Sequence, residues 1–336
     1  MKRRGAAIAG ALLGTAGVMA WSGLTFERIG ARRLQASEED LRDAGLTMPS
    51  QARHHLIDVS DAGRIHAVEM GEGPTVVLVH GITLNVSIFT LTMRAMSATH
   101  RVIAIDLRGH GNSLIGNEGV GMDRLARDVV EVLAALDVRN SVLLGHSMGG
   151  MVAQVVTGRY HEAVAERVAH LVLLGSSAGP ASQSGPQRWA FQSLNRLARR
   201  GFRKRAHKGE GVFPGNDMAI WLTRLSFGRR PNPAAVELAK SVTQSTPPAV
   251  VAEFLEELFS FDGRDLLVAI QQSATVMVGT LDFLMPPRHA RVMASLMRSA
   301  EYVEVRGAGH MIMLETPGEL VACLEAASWR SRHPSA

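Results

Sequence analysis

The chain has a single cysteine, Cys323, among 336 residues. That excludes an internal disulfide and a cysteine-based zinc cluster, so stability has to come from packing. Thirteen histidines are present, yet none is spaced with a second histidine and a carboxylate as a metal site requires. The glycine pairs Gly109/Gly111 and Gly209/Gly211 lack the third glycine of a dinucleotide fingerprint. Internal repeats are absent, and so are low-complexity tracts beyond the N-terminal segment. What is present is a globular balance, 46% hydrophobic and 20% charged residues. It suits one large α/β domain with an insertion, or two ordinary domains. The net charge of +5 is local in origin rather than general.

The N-terminus stands apart. Lys2-Arg3-Arg4 precedes an uncharged run from Gly5 to Phe26, rich in alanine, glycine and leucine. A positive flank and an apolar stretch close to the ~20 residues that span a bilayer predict a membrane anchor for residues 1–26. A signal cleaved near Val18-Met19-Ala20, with export, is the alternative, since the run is only weakly hydrophobic. Gly10 and Gly14 have a spacing that lets two helices approach closely. Arg28, Arg32 and Arg33 nearly balance the charge on the near side, so orientation stays open. Residues 27–52 are charged and read as a linker or short helix.

From residue 53 the pattern changes. Residues 55–59 and 65–69 flank Ser60-Asp61-Ala62-Gly63-Arg64, a hairpin signal. Thr75–Val79 is a continuous, mostly β-branched run, expected of a strand buried on both faces. Similar runs recur at 101–105, 141–144, 170–174, 274–278 and 302–305, with helix-length segments such as 123–136 between most of them. Strands alternating with helices predict a mainly parallel sheet covered on both faces, made mixed by the hairpin. The alternation stops between 178 and 265, where breakers such as Pro214-Gly215 and Pro247-Pro248 punctuate helical stretches. An insertion there is expected to cap the strand C-termini, where ligands bind in open α/β sheets.

Gly145-His146-Ser147-Met148-Gly149 reads G-x-S-x-G between a strand and a helix, the context of a nucleophile elbow. A serine hydroxyl needs a base, and the base needs an orienting carboxylate. Downstream candidates are few. Asp282 follows the run ending at Val278, and His310 follows Gly307-Ala308-Gly309 after the run ending at Val305. Gly175-Ser176-Ser177 offers no alternative acid. An oxyanion needs two N–H donors; the backbones of Met148, after the serine, and Ile82, after His80-Gly81, are the candidates. Asp106 and His110, in a glycine-containing loop, read as scaffold. His80 is expected to position the oxyanion loop, and His146 to pack or bond behind the elbow.

With these motifs the chain resembles the α/β-hydrolase superfamily, in its esterase/lipase-like group with a lid. The matching pieces are Val79-His80-Gly81, residues 106–113, residues 145–150, Gly279-Thr280-Leu281-Asp282 and Gly309-His310, in the family's order. The resemblance covers residues 55–328 outside the cap. It implies an α/β-hydrolase fold with a mostly parallel eight-stranded sheet, helices on both faces and a helical cap inserted after strand 6. The core would comprise 53–177 and 266–330, and the cap 178–265. Ser147 would be the nucleophile, Asp282 the acid and His310 the base, with no metal or organic cofactor. Serine at 147 sets the chain apart from members with an aspartate nucleophile. The expected reaction is hydrolysis of a carboxylic ester. The alternatives are thioester, lactone or carbon–carbon cleavage, cofactor-free haloperoxidation, and a ligand-binding receptor that kept the fold. Sixteen methionines and a helical cap suggest an apolar, adaptable pocket. A basic run in the cap comprises Arg196, Arg199, Arg200, Arg203, Lys204, Arg205 and Lys208. It reads as a solvated face, or as a contact with an anionic membrane surface alongside residues 5–26. No aromatic stacking platform accompanies it, which argues against nucleic acid.

Overall fold

The structure, a computed structural model, describes residues 36–179, 186–213 and 215–333. The predicted anchor or signal at 1–26 and the start of the linker lie outside the described residues. Among the described residues, no helix is long and apolar enough to cross a membrane.

The first helix, α1 (Glu38–Asp43), is closed by a capping box. The Ser37 hydroxyl accepts from the Asp40 N–H, and the Asp40 carboxylate accepts from the Ser37 N–H at 2.7 Å. The hairpin follows as β1 (Arg53–Asp58) and β2 (Arg64–Met70), with Asp58 opposite Arg64. Next come β3 (Thr75–Val79), α2 (Thr90–Met96), β4 (Arg101–Ile105), α3 (Met122–Ala135) and β5 (Ser141–His146). They lead into α4 (Met148–Arg159), the one-turn α5 (His161–Val164) and β6 (Val168–Leu174). The inserted stretch holds α6 (Pro186–His207), α7 (Asn216–Arg224), α8 (Pro233–Ser245), α9 (Pro248–Ser260) and α10 (Arg264–Ala269). The chain closes with β7 (Ser273–Gly279), α11 (Pro287–Leu296), β8 (Ala300–Val305), α12 (Ile312–Glu315) and α13 (Pro317–Arg332).

The strands form one eight-stranded sheet in the order β1-β2-β4-β3-β5-β6-β7-β8. β2 runs antiparallel to β1 and β4, and every other neighbouring pair is parallel. Side chains on successive residues face opposite cores. Val77, Ile103, Leu143 and Leu173 share one core with α3 and α4, while Val76, Val102, Val142 and Leu174 share the other with α2 and α13. Burial of each such side chain contributes roughly 1.5–3 kcal/mol. β3 and β5 are buried along their whole lengths, as continuous apolar runs predict. The run at 302–305 differs. β8 is the outer edge of the sheet, with one neighbouring strand, and most of its residues are partly or fully exposed.

A buried ionic network joins the loops below one face. Arg108 is wholly buried and uses all five guanidinium N–H groups. Two bind Asp61 at 2.9 and 3.0 Å, two bind Asp128 at 2.5 and 2.7 Å, and one binds the Gly119 carbonyl at 2.7 Å. The Arg108 hydrogen bonds hold the Asp61 carboxyl well below the usual carboxylate range. Arg124 bonds to Asp128, Glu131 and the Ser60 hydroxyl. The β1–β2 turn, the loop after β4 and α3 are thereby locked together.

The inserted helices leave the sheet at the C-terminal end of β6 and return through α10, which packs on α4, to the start of β7. Within the insertion α6 packs on α9 and α7 on α8, while α1 packs on α8.

Candidate active site

Ser147 stands alone between β5 and α4 with φ +55° and ψ −118°. Side chains other than glycine rarely adopt this backbone, so the surroundings must hold it. The Ser147 N–H donates to the Leu174 carbonyl at 2.9 Å. The Ser147 carbonyl accepts from the Gly150 N–H at 3.0 Å and from the Ser176 hydroxyl at 2.8 Å. A Cβ on Gly145 would lie 2.3 Å from the Gly149 carbonyl oxygen, and one on Gly149 would lie 2.4 Å from that of Val79. Glycine at both positions lets the start of α4 pull tight against the sheet. Met148 is the first residue of α4, so its N–H belongs to the unpaired, electropositive helix start.

The loop after β3 lies directly on the serine. A Cβ on Gly81 would come within 2.9 Å of Ser147 Cβ and 3.2 Å of His146 Nδ1. His80, wholly buried, fixes the next peptide. Its Nε2 accepts from the Leu107 N–H at 2.9 Å, so its Nδ1 carries the proton and donates to the Gly81 carbonyl at 2.7 Å. Burial favours this neutral form by lowering the His80 pKa. In a trans peptide the C=O and the following N–H point in opposite directions. Holding the Gly81 carbonyl therefore orients the Ile82 N–H the other way. Ile82 shares a cavity wall with Ser147.

Asp282 and His310 meet at 2.8 Å, carboxylate Oδ2 to ring Nδ1, and both are buried. The other Asp282 oxygen accepts from the Met285 N–H at 2.7 Å, which pins the carboxylate. With Nδ1 engaged, Nε2 is the ring atom left to take a proton. His310 is anchored twice through its backbone. Its N–H donates to the Ser226 carbonyl at 2.7 Å, and its carbonyl accepts from His146 Nε2 at 3.0 Å. His146 is thus a donor behind the elbow, its pKa pushed well down by burial and then by His310. Asp106 spends its carboxylate on the Val86 and Asn112 N–H groups and on His66 Nδ1, at 2.8, 3.0 and 2.7 Å. Cys323 lies on α13, and burial pushes its thiol up to about 11, far from a working thiolate.

Sequence reading passed over Glu315. Its two oxygens accept from the Gly309 and Gly228 N–H groups at 2.9 and 2.6 Å. It therefore ties the histidine loop to the insertion. A carboxylate on a one-turn helix carries no motif; only its place five residues after His310 hinted at a role.

Ser147 and His310 open into one cavity of about 380 Å³. Ile82, Thr83 and Leu84 form the sheet side, and Leu222, Thr223, Ala239, Thr243, Leu258 and Phe259 come from the inserted helices. The cap is thus a wall of the cavity. Of the lining residues, Leu222 and Leu284 are about half exposed, and Phe283 beside Leu284 is 73% exposed. In the basic run, Arg199 pairs with Glu256, and Arg205 and Lys208 with Glu210. Arg196, Arg200, Arg203 and Lys204 are exposed and, among the described residues, have no carboxylate partner.

Comparison with known proteins defines the class. The family model described as alpha/beta hydrolase fold matches residues 74–317, and the chain belongs to that family. The chain is 30% identical over 269 residues to the dihydrolipoyllysine-residue acetyltransferase component of an acetoin cleaving system from Pseudomonas putida, covering 73% of this chain and 61% of that one. It spans 35% to 61% of the length of four of the curated relatives it matches. Among solved structures, a thermophilic esterase from Thermogutta terrifontis superimposes with a TM-score of 0.70 at 25% identity, over 83% of this chain and 99% of that one. A membrane phospholipase A, a bacterial virulence factor, superimposes with a TM-score of 0.66 at 22% identity, over 99% of each chain, a likeness of fold.

Proposed function

We propose that this hydrolase-family protein cleaves a carboxylic ester with an apolar acyl or alcohol part through an acyl-enzyme on Ser147. The observation that carries the proposal is the buried Asp282–His310 pair opening into the same cavity as the strained Ser147. His310 Nε2 takes the serine proton as Oγ attacks the ester carbonyl. The Met148 and Ile82 N–H groups hold the oxyanion. The C–O bond to the alcohol then breaks and His310 returns the proton to the leaving oxygen. Water, deprotonated by the same ring, releases the acid and restores the serine. Asp282 keeps the proton on Nδ1 and offsets the positive charge on the ring.

The apolar walls at Phe213, Leu222, Leu258, Phe259, Leu284 and Met285 support an apolar ester. We further propose that the substrate arrives from an anionic lipid surface. Half-exposed Leu222 and Leu284 line the cavity, Phe283 beside Leu284 is exposed, and the α6 cations that have no carboxylate partner among the described residues stand on a helix joined to the cavity wall, since Arg205 donates to the Phe213 carbonyl at 2.9 Å. Residues 5–26 would add an anchor to the same surface.

The decisive experiment is a panel of p-nitrophenyl esters of increasing acyl length with wild-type protein and Ser147→Ala, alongside fluorophosphonate labelling. Loss of both activity and labelling in the variant is expected. Turnover that survives Ser147→Ala overturns the assignment. Wild-type protein that is labelled, yet prefers thioesters, lactones or carbon–carbon substrates, moves the reaction within the class. Protein that is neither labelled nor active points to a receptor.

A further inference from the structure

Thr83, directly after Ile82, has φ +60°. A β-branched residue in that region is an outlier and persists only where neighbours hold it. One holder is the turn bond from the Leu84 N–H to the Gly81 carbonyl at 3.3 Å, and the other is His110. The Thr83 N–H donates to His110 Nε2 at 3.1 Å, and His110 Nδ1 lies 3.2 Å from the Arg108 carbonyl. A backbone N–H only donates and a carbonyl only accepts, so the ring is neutral with its proton on Nδ1. Burial, reinforced by neighbouring His80, pushes His110 down to about 3, so Nε2 stays an acceptor. The ring is seated between His80 and Phe254 of α9, with centroids 5.2 and 4.9 Å away.

The loop is thus fixed at successive points. His80 holds the Gly81 carbonyl, His110 holds the Thr83 N–H, and Asp106 holds the Val86 N–H. The first two bonds fix the peptides on either side of Ile82. We propose that His110 is a positioning residue for the oxyanion site. Its Nε2 locks Thr83 in the strained conformation that aims the Ile82 N–H at the substrate carbonyl oxygen. This inference rests on the Ser147 reading. Phe254 comes from the insertion, so the same contact links the seating of α9 to the aim of the donor.

Two near-isosteric variants separate this role from scaffolding. His110→Asn keeps a donor for the Arg108 carbonyl but offers Thr83 no acceptor. His110→Gln places an amide oxygen near the Nε2 position. His110→Asn is expected to lower kcat about 10- to 100-fold with KM changed less than about threefold. It should weaken binding of a trifluoromethyl ketone transition-state analogue by the same factor. His110→Gln should stay within about fivefold of wild type. Thr83→Gly supplies a second arm, because glycine adopts φ +60° without a brace. In that background His110→Asn should cost less than about threefold. Equal kcat in the two position-110 variants, or an equal loss from His110→Asn with and without Thr83→Gly, overturns the proposal. If the asparagine variant does not fold, a folded His110→Gln protein decides. Retained kcat supports the proposal, and a tenfold or greater loss ends it. Fluorophosphonate labelling of wild-type Ser147 runs alongside. Absent labelling breaks the underlying hydrolase reading, whereas labelled protein with His110→Asn at wild-type kcat breaks this inference alone.

Discussion

The sheet with its loops and the inserted helices solve different problems with different residues. The sheet side turns its polar groups inward. Arg108 saturates every N–H it has, His80 bonds through both ring nitrogens, His146 donates through Nε2, and Thr83 and Ser147 are among the non-glycine residues held at positive φ. The insertion turns groups outward, with four cations on α6 that have no carboxylate partner among the described residues and with half-exposed Leu222 lining the cavity. The cavity draws one wall from the sheet side and one from the insertion, so under the proposed reaction bond cleavage and choice of substrate would fall to separate stretches of chain.

That division can be broken by substitution, and the largest effect should come from the sheet side. Asp282→Asn should lower kcat about 10⁴-fold for every ester in the panel, because His310 loses the partner that keeps its proton on Nδ1. An effect that varied with acyl length would blur the comparison. Arg108→Met should destabilise the fold by about 3–5 kcal/mol in urea titrations, since it leaves buried Asp61 without its cation and Asp128 with Arg124 alone. Stability within about 1 kcal/mol of wild type would show that the network is dispensable.

Acid should also act through the sheet side. Burial lowers the pKa of His80, His110, His146 and His170, the last to about 4, against an ordinary value near 6.5. Below pH about 6.5 the unfolded chain therefore binds more protons than the folded one. Stability is full above that pH and falls as pH drops toward 4 for His170 and toward 3 for His110. Each such histidine removes on the order of 1.4 kcal/mol per pH unit within its window. Thermal midpoints measured from pH 7 to pH 4 check the sign; a flat profile contradicts it.

Smaller effects belong to the insertion. Leu222→Trp should narrow the cavity and shift the ratio of kcat/KM between long and short acyl chains about 10- to 100-fold, with short-chain kcat little changed. Arg203→Glu with Lys204→Glu should leave turnover of soluble esters unchanged. The same pair should weaken binding to anionic vesicles by about 1 kcal/mol per lost charge, less at high salt. Equal binding to anionic and neutral vesicles would remove the lipid proposal.

Much of the sheet side was legible beforehand because its information is local. The elbow shows itself by glycines two before and two after Ser147, and Asp282 and His310 by their places after apolar runs. Arg108 was not legible, although it stands within a motif. One arginine among 36 basic residues gains meaning only when Asp61 and Asp128 converge on it from far along the chain. Thr83 was equally silent, since nothing in its neighbours forecasts a positive φ. The edge position of β8 was missed because an apolar run does not say how many neighbours it has. The walls supplied by α7, α8 and α9 stayed hidden for a related reason. Helical periodicity tells which face turns inward, not what it meets.

β6 and β7 are hydrogen-bonded neighbours although roughly a hundred residues separate them. The entropy of bringing two chain ends together grows only with the logarithm of the intervening length, about 0.6 kcal/mol for each doubling. Lengthening or shortening the connection therefore changes the loop-closure cost of strand pairing very little. The junction behaves as a socket in the chain. A different segment could join there, while Ser147, Asp282 and His310 keep their places just after β5, β7 and β8.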